Sequence, residues 1–331
     1  MMILYGPSKS MRDTFVLSML ETSAADFLAT SFLPASTIKE IVMKNKISDN
    51  KDVTDPSIIN ISIGSEKPDE SGSDETGETN PQTDDFKFNY NNQGICILDI
   101  YGKTYHGKLL AIKDPSRVFI GTPAEYGKGL GGETVLNMVK ETNSLAGING
   151  GGFYDPGKVS SLDGDIPTGI NNSAGIVIKD GKIKYITEGF ENEKFDLVGI
   201  TDENILIVGT MTAKQALDLG MRDCLNFGPT LIVNGVPRRV EGYGSGLNPR
   251  SAIGQRLDGA ILMLVIDGRQ ANSVGANYED IMRIMLEYGA VNAANLDGGQ
   301  SSMMIYDSKI ITTPASLYKP RKIATTFLVK K

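Results

Sequence analysis

Hydrophobic positions along this chain change period, and the changes divide it into parts. Near the start, Met11, Phe15, Met19 and Leu20, then Phe27, Leu28 and Phe32, recur at helical spacing behind a Ser10 and Asp13 capping pair. One or two helices are expected before Pro34, and a further short one over Ile38 to Met43. From Lys44 the periodicity stops, and Ser65 to Asp85 holds no aliphatic or aromatic residue. Such a segment cannot bury enough surface to offset the entropy of ordering it. Residues 44–85 therefore read as a flexible acidic linker between a helical N-terminal arm, 1–43, and a folded domain, 86–331. An acidic tail that recruits a basic partner is the other use of such a run. For the arm, packing on the domain is the expected role, with a partner contact or proximity to a membrane as alternatives.

Beyond Phe86 the apolar runs become short and strand-like. Gly94 to Ile100, Lys108 to Ile112, Arg117 to Ile120, Asn204 to Val208 and Phe227 to Val233 are expected strands. Lys179-Asp-Gly-Lys182 and Leu257-Asp-Gly259 each sit between two apolar runs and predict hairpins, because Asp-Gly suits the turn that matches strand twist. Ala260 to Ile266 is apolar on both faces and is expected inside its sheet. Glu133 to Lys140 has helical spacing, as does a short segment opened by a Thr212 and Gln215 capping box. Asn277 caps an expected helix in which Tyr278, Ile281, Met282, Met285 and Leu286 share one face, and Gly289 can end it. Ala290 to Leu296 returns as a strand. The expectation is an α+β protein, a single mixed, sheet-rich domain with a few helices after a helical arm.

Composition narrows the function classes. With 331 residues, 40% of them hydrophobic, the chain can bury a sizeable core. The formal net charge is −7, and Ser65 to Asp85 alone, with eight acids and one lysine, accounts for it. The remainder is close to neutral, so the basic footprint of nucleic-acid binding is absent. One histidine and two distant cysteines exclude a multi-histidine metal site, a cysteine zinc pattern and a disulfide framework. A Ser-His-Asp arrangement would have to use His106. No cofactor is required, but carboxylates and carbonyls leave room for a divalent cation such as calcium. No apolar run approaches the ~18 residues needed to span a bilayer, and no signal or anchor is visible.

The chemistry is expected where strands run into glycine. Ile266-Asp267-Gly268-Arg269 and Leu296-Asp297-Gly298-Gly299 each deliver a carboxylate at the end of an apolar run. Strand, helix, strand between them makes the two strands expected parallel neighbours with both acids at one sheet edge. Asp-Gly is also a common turn dipeptide, and that reading suffices for either aspartate alone. Arg250, Arg256 and Arg269 in the same stretch favour an anion site, because guanidinium forks match phosphate oxygens. Asn149-Gly-Gly-Gly152 could offer backbone N–H groups to an anion or sugar, or could be a tight turn. The Gly127 to Gly132 loop lacks the Lys-Ser/Thr ending of a nucleotide loop.

Asn149-Gly-Gly-Gly-Phe153, Phe227-Gly-Pro229, Asn248-Pro-Arg-Ser-Ala-Ile-Gly254, Val265-Ile-Asp-Gly-Arg269 and Asn295-Leu-Asp-Gly-Gly-Gln-Ser-Ser302 resemble, in order, the signature blocks of the phosphodiester glycosidase family. Leu4-Tyr-Gly-Pro7 and Arg12-Asp-Thr14 resemble its bacterial branch, in which these residues usually follow a membrane anchor. Gln300 departs from the family, which often has glycine or serine there. The resemblance implies hydrolysis of the bond between a sugar anomeric carbon and a phosphodiester oxygen, on cell-envelope or exopolysaccharide glycans, at the envelope or outside the cell. It implies Asp297 as base or nucleophile, Asp267 as its partner or as an orienting or metal-binding carboxylate, and Arg250 on the phosphate. Asn149, Gly151, Gly152, Arg269, Gly298, Gly299, Ser301 and Ser302 would line the sugar-phosphate. The competing class is a non-catalytic envelope module that holds an anionic glycan with the same loops.

Overall fold

The computed structural model describes residues 4, 8–22, 26–48, 52–61, 86–124, 126–128, 131–155, 164, 166–169, 173–242, 244–315 and 319–331. The arm is built of α1 (Lys9–Leu20), α2 (Phe27–Thr30) and α3 (Ala35–Lys44). Ser8 rather than Ser10 caps α1, accepting a hydrogen bond from the Met11 amide. Val16, Leu17, Ala29, Leu33 and Ile41 form a small core of the arm's own. The arm also docks on the domain. Ser18 Oγ accepts from the Leu247 amide at 2.8 Å, and a Cβ on Gly246 would lie 2.2 Å from the Ser18 nitrogen.

The described part of 44–85 is docked too, which corrects the expectation of a linker along that whole length. Ile47 bridges Val240, Val53 bridges Gly209, and Ile59 is buried with Ile58 and Ile61 packed beside it. Isolated apolar residues without a period are enough where a sheet edge offers partners. The acidic run from Ser65 to Asp85 lies outside the described residues.

The domain follows in chain order with β1 (Ile95–Tyr101), β2 (His106–Ile112), β3 (Val118–Gly121), α4 (Val135–Glu141), β4 (Ser144–Asn149), β5 (Gly152–Phe153), β6 (Pro167–Thr168), β7 (Ile176–Lys179) and β8 (Lys182–Ile186). Then come β9 (Lys194–Thr201), β10 (Leu206–Thr212), α5 (Ala213–Asp218), β11 (Met221–Asn226), β12 (Thr230–Val233), β13 (Val236–Pro237), β14 (Arg250–Arg256) and β15 (Ile261–Ile266). The chain closes with α6 (Tyr278–Glu287), β16 (Ala290–Leu296), β17 (Met304–Tyr306), β18 (Lys309–Ile310) and β19 (Thr326–Lys330). Sheet-rich with few helices, this is the expected mixed α+β class.

Three sheets enclose one core. A seven-stranded sheet runs β1-β2-β15-β14-β16-β12-β13, and two five-stranded sheets run β10-β9-β11-β7-β8 and β18-β17-β4-β19-β3. Ile253, Met263 and Val265 from the first meet Val198, Ile200 and Val208 from the second and Ile148, Phe327 and Val329 from the third. The opposite face of the large sheet is covered by α6, whose Ile281, Ile284 and Met285 are buried against Leu231, Ala252 and Leu262. Asn277 and Asp280 make a reciprocal capping box at its start. Each such buried side chain contributes roughly 1.5–3 kcal/mol of apolar burial, so the amphipathic face holds α6 in place.

Both expected hairpins form. Asp180 and Gly181 turn with positive φ between β7 and β8, and Gly259, also at positive φ, turns between β14 and β15. The relation of the two aspartate strands differs from the expectation. Ser251 of β14 faces Val265 of β15 on one side and Leu296 of β16 on the other. β15 and β16 are therefore parallel and end at the same sheet edge, but β14 lies between them and separates their ends by about 9–10 Å of backbone. The helix crossing over the sheet face had room to skip one strand.

Candidate active site

β14 carries the centre of the site, because the turn before it, Asn248-Pro249, is clasped from both sides. A Cβ on Gly268 would lie 2.6 Å from the Pro249 nitrogen, and one on Gly298 would lie 2.8 Å from its carbonyl oxygen. The two Asp-Gly motifs echo each other because both glycines must clear the same proline. Asp267 and Asp297 are thereby presented on either side of Arg250.

Arg250 is 5% exposed and is held through Nε and one Nη. Its Nε donates to the Ala276 carbonyl at 3.1 Å, and one Nη donates to Ser245 Oγ at 3.0 Å, to the Gly246 carbonyl at 2.8 Å and to Glu21 Oε2 at 2.5 Å. The Tyr278 ring lies 4.6 Å below the guanidinium. Burial works against the charge, but Glu21 and Tyr278 outweigh it and push the Arg250 pKa up. Asn248 completes this cradle: its Nδ2 donates to the same Glu21 oxygen at 2.9 Å, and its Oδ1 accepts from Arg269 at 3.1 Å.

Arg269 stands at φ 58°, a left-handed conformation that a non-glycine residue adopts at a cost. Part of its side chain is exposed, while the guanidinium end donates to Thr22 Oγ1 at 2.8 Å. A Cβ on Gly299, itself at φ +60°, would sit 3.2 Å from that guanidinium. Loss of hydration at the guanidinium end, with the nearby Arg250 charge second, pulls its pKa down, and Glu21 and Asp297 oppose the shift. The arm thus ends on the arginines, with Glu21 and Thr22 as the contacts.

Asp297 lies half-buried on the other side of Arg269. The Gly298 amide donates to its Oδ1 at 3.0 Å. Burial raises its pKa; Ser301, Arg321 and the Gly298 amide oppose the rise, and Asp155 adds to it. Ser301 and Ser302 are each 3% exposed; Ser301 lies against the Asp297 carboxylate, and the Ser302 hydroxyl has no hydrogen-bond partner. A buried, unpartnered hydroxyl is a group that a polar ligand can satisfy.

Asp267 is placed differently. One carboxylate oxygen lies 3.1 Å from His106 Nδ1, and the other accepts from the Thr313 amide at 2.9 Å. Burial raises its pKa against the pull of Thr313 and His106. Ser273 Oγ donates to its carbonyl and the His106 carbonyl accepts from its amide, so the residue is engaged on every side. Both carboxylate oxygens thus hold protein groups.

The glycine run after β4 also turns inward. Asn149 is fully buried; its Nδ2 donates to the Asp297 carbonyl at 2.6 Å, and its Oδ1 accepts from Ser251 Oγ at 2.7 Å and the Met303 amide at 3.2 Å. The Gly151 amide donates to Thr325 Oγ1, and a Cβ there would meet the Asn226 carbonyl at 2.9 Å. Gly152 pairs with Thr168 in the β5-β6 ribbon. These residues clip the Asp297 turn to the neighbouring sheet through close backbone packing, and their amide groups are already engaged.

Other residues at the site carry no local signature in sequence. Glu21 and Thr22 sit in an arm more than two hundred residues away from their partners. Arg321 ion-pairs with Asp155 at 2.7 Å and stacks 4.4 Å over the Phe153 ring. The signal available for Asp155 was its position just past the glycine run, and for Arg321 the basic cluster Lys319-Pro-Arg-Lys322. Among the described residues no group of three His, Cys, Asp or Glu side chains could hold a metal ion.

Residues 142–330, more than half of the chain, match the model of the phosphodiester glycosidase family. An SPbeta prophage-derived uncharacterized protein, YomE of Bacillus subtilis, is 30% identical over 204 residues, which are 60% of this chain and 29% of that protein. Mouse N-acetylglucosamine-1-phosphodiester alpha-N-acetylglucosaminidase is 24% identical over 257 residues, 69% of this chain and 46% of the enzyme. The chain therefore spans less than half the length of these relatives. In structure it is similar to the catalytic domain of the zebrafish enzyme of that name, auto-inhibited by pro-peptide, with a TM-score of 0.54 at 20% identity, covering 72% of this chain and 82% of that one. By sequence match over its sheet-rich domain, the chain belongs to the phosphodiester glycosidase family.

Proposed function

We propose that this chain hydrolyses the bond between a sugar anomeric carbon and a phosphodiester oxygen, on glycans of the cell envelope or an exopolysaccharide. The observation that carries the reading is the cradle in which Arg250 and Asn248 hold a carboxylate, Glu21, while Arg269, bonded to Asn248, lies between that cradle and the charge of the half-buried Asp297. A site that binds one carboxylate through an arginine and an amide, with a second arginine beside them, suits a phosphate equally well. The departing phosphate monoester has a second pKa of about 6, so stabilising its charge matters more than protonating it. In this reading Arg250 and Arg269 take the phosphate, and Asp297 is the nucleophile at the anomeric carbon. Ser301, Ser302 and the Gly298-Gly299 turn line the sugar-phosphate, while Asp267 is an orienting carboxylate acting through His106 and Thr313. The same reading sets this hydrolysis outside the cell or at its envelope. Among the described residues no helix is long and apolar enough to cross a membrane.

A regulatory element belongs to the same reading. The Glu21 carboxylate occupies the position assigned to the phosphate, so the docked arm excludes substrate and must lift for turnover. The zebrafish structure described as auto-inhibited by pro-peptide supports this use of a covering segment.

The test is a panel of sugar-1-phosphodiesters, with methyl N-acetylglucosamine-1-phosphate among them, assayed by mass spectrometry with and without chelator. Free sugar and phosphate monoester are expected, equally with chelator present; loss of activity on chelation would assign a cation, such as calcium, to the site. Calorimetric binding of an anionic glycan with no sugar released from any panel member would favour a non-catalytic envelope module instead.

A further inference from the structure

A double-displacement hydrolysis needs a second group to activate water, and Asp267 is engaged with His106 and Thr313. We propose that Asp155 is that group: it accepts the proton of the water that releases the sugar from Asp297, and Arg321 positions it. The inference rests on the hydrolase reading above.

Three segments converge to place Asp155. Asn149 and Gly150, at the start of its loop, are bonded to Asp297 in both directions: Asn149 Nδ2 donates to the Asp297 carbonyl, and the Asp297 amide donates to the Gly150 carbonyl at 3.0 Å. Phe153 is buried and aligned by the β5-β6 ribbon, which leaves Asp155 two residues on. The segment from Arg321 to Thr325 arrives beside them, since the Gly150 amide donates to the Thr325 carbonyl at 2.9 Å and the Gly151 amide to Thr325 Oγ1 at 3.0 Å. Arg321 lies on the Phe153 ring and grips Asp155 at 2.7 Å, with only 12% and 11% of the two side chains exposed. An ion pair so shielded is held in one orientation, unlike a surface pair. The charges of both Arg321 and Asp155 act on Asp297. Two carboxylates in unlike surroundings are the requirement for dividing nucleophile from base.

In the first step an Asp297 oxygen bonds to the anomeric carbon, and the carbon–oxygen bond to phosphorus breaks with its electron pair leaving on the phosphate monoester. In the second step a water oxygen bonds to that carbon, its proton passes to Asp155, and the electron pair of the carbon–Asp297 bond returns to Asp297.

The test uses the full chain with methyl N-acetylglucosamine-1-phosphate. Asp155→Asn is expected to keep a burst of one phosphate monoester per chain while steady sugar release falls at least ~100-fold. The chain should then gain the mass of one sugar on Asp297, and azide should discharge it as a glycosyl azide. In the unaltered chain, sugar release should slow in heavy water while the phosphate burst does not, a measurement independent of how the variant folds. Turnover of Asp155→Asn within a few-fold of the unaltered chain overturns the proposal, as does a loss of turnover with no burst, no sugar adduct and no azide product. Equal sugar release in light and heavy water does the same. If the unaltered chain releases neither phosphate monoester nor sugar from any panel member, the hydrolase reading itself falls.

Discussion

Asp267 and Asp297 leave the same sheet edge, each at the end of a buried strand, each followed by a glycine that clears Pro249, yet they live in different surroundings. Asp267 has both oxygens bonded, to His106 and to the Thr313 amide, inside the protein. Asp297 is bonded through Oδ1 to its own turn and otherwise meets the Ser301 hydroxyl and the charges of Arg269 and Arg321. The first arrangement fixes a loop, and the second leaves a carboxylate poised among cations. A motif repeated in sequence therefore does not carry a repeated role; the loops that arrive from elsewhere assign it.

The widest gap between the two should appear in catalysis. Asp297→Asn is expected to lower sugar-1-phosphodiester hydrolysis by roughly a thousand-fold or more, and Asp267→Asn by about ten-fold or less. Equal losses, measured as kcat/KM, would erase the distinction drawn here. Stability should rank them the other way. Asp267→Ala leaves His106 and the Thr313 amide without their acceptor and should cost about 2 kcal/mol in denaturant unfolding, whereas Asp297→Asn should cost nothing.

A smaller effect concerns the arm that docks on Arg250 and Arg269. Glu21→Gln removes the charge that pairs with buried Arg250 and should loosen the arm, raising initial turnover several-fold and lowering stability by about 1 kcal/mol. Turnover at or below that of the unaltered chain would show that the arm completes the site instead of covering it.

The smallest effect is a pH slope. Burial raises the Asp297 pKa, so between the ordinary carboxylate range and the raised value the folded chain binds more protons than the unfolded one. Stability must then fall as pH rises through that window, and the cost persists at neutral pH. Asp297→Asn should flatten this slope and raise the melting temperature at pH 7. A steeper slope in the variant would reverse the sign assigned to its burial.

Much of the fold was legible because its causes are local. Asp180-Gly181 and Gly259 turn where Asp-Gly chemistry places them, and Asn277 opens α6 with the box its side chains allow. The run from Ala290 to Leu296 is the strand β16 to the residue. The docking of the 44–61 segment is not legible in sequence because its apolar residues have no period, and only the sheet edge they meet explains their burial. Asn149 and Gly151, expected from the family resemblance to line the ligand, bond through their polar atoms to Asp297, Ser251 and Thr325.

By itself the sequence determined the element types, the family blocks and the pair of aspartates with Arg250, since propensity, hydrophobic period and turn chemistry act over a few residues. Only the tertiary structure decided that β14 separates the aspartates, that Glu21 closes on Arg250 across 229 positions and that Arg321 grips Asp155 across 166. Contacts that distant leave no periodic trace, because they depend on which loops three packed sheets bring to one edge.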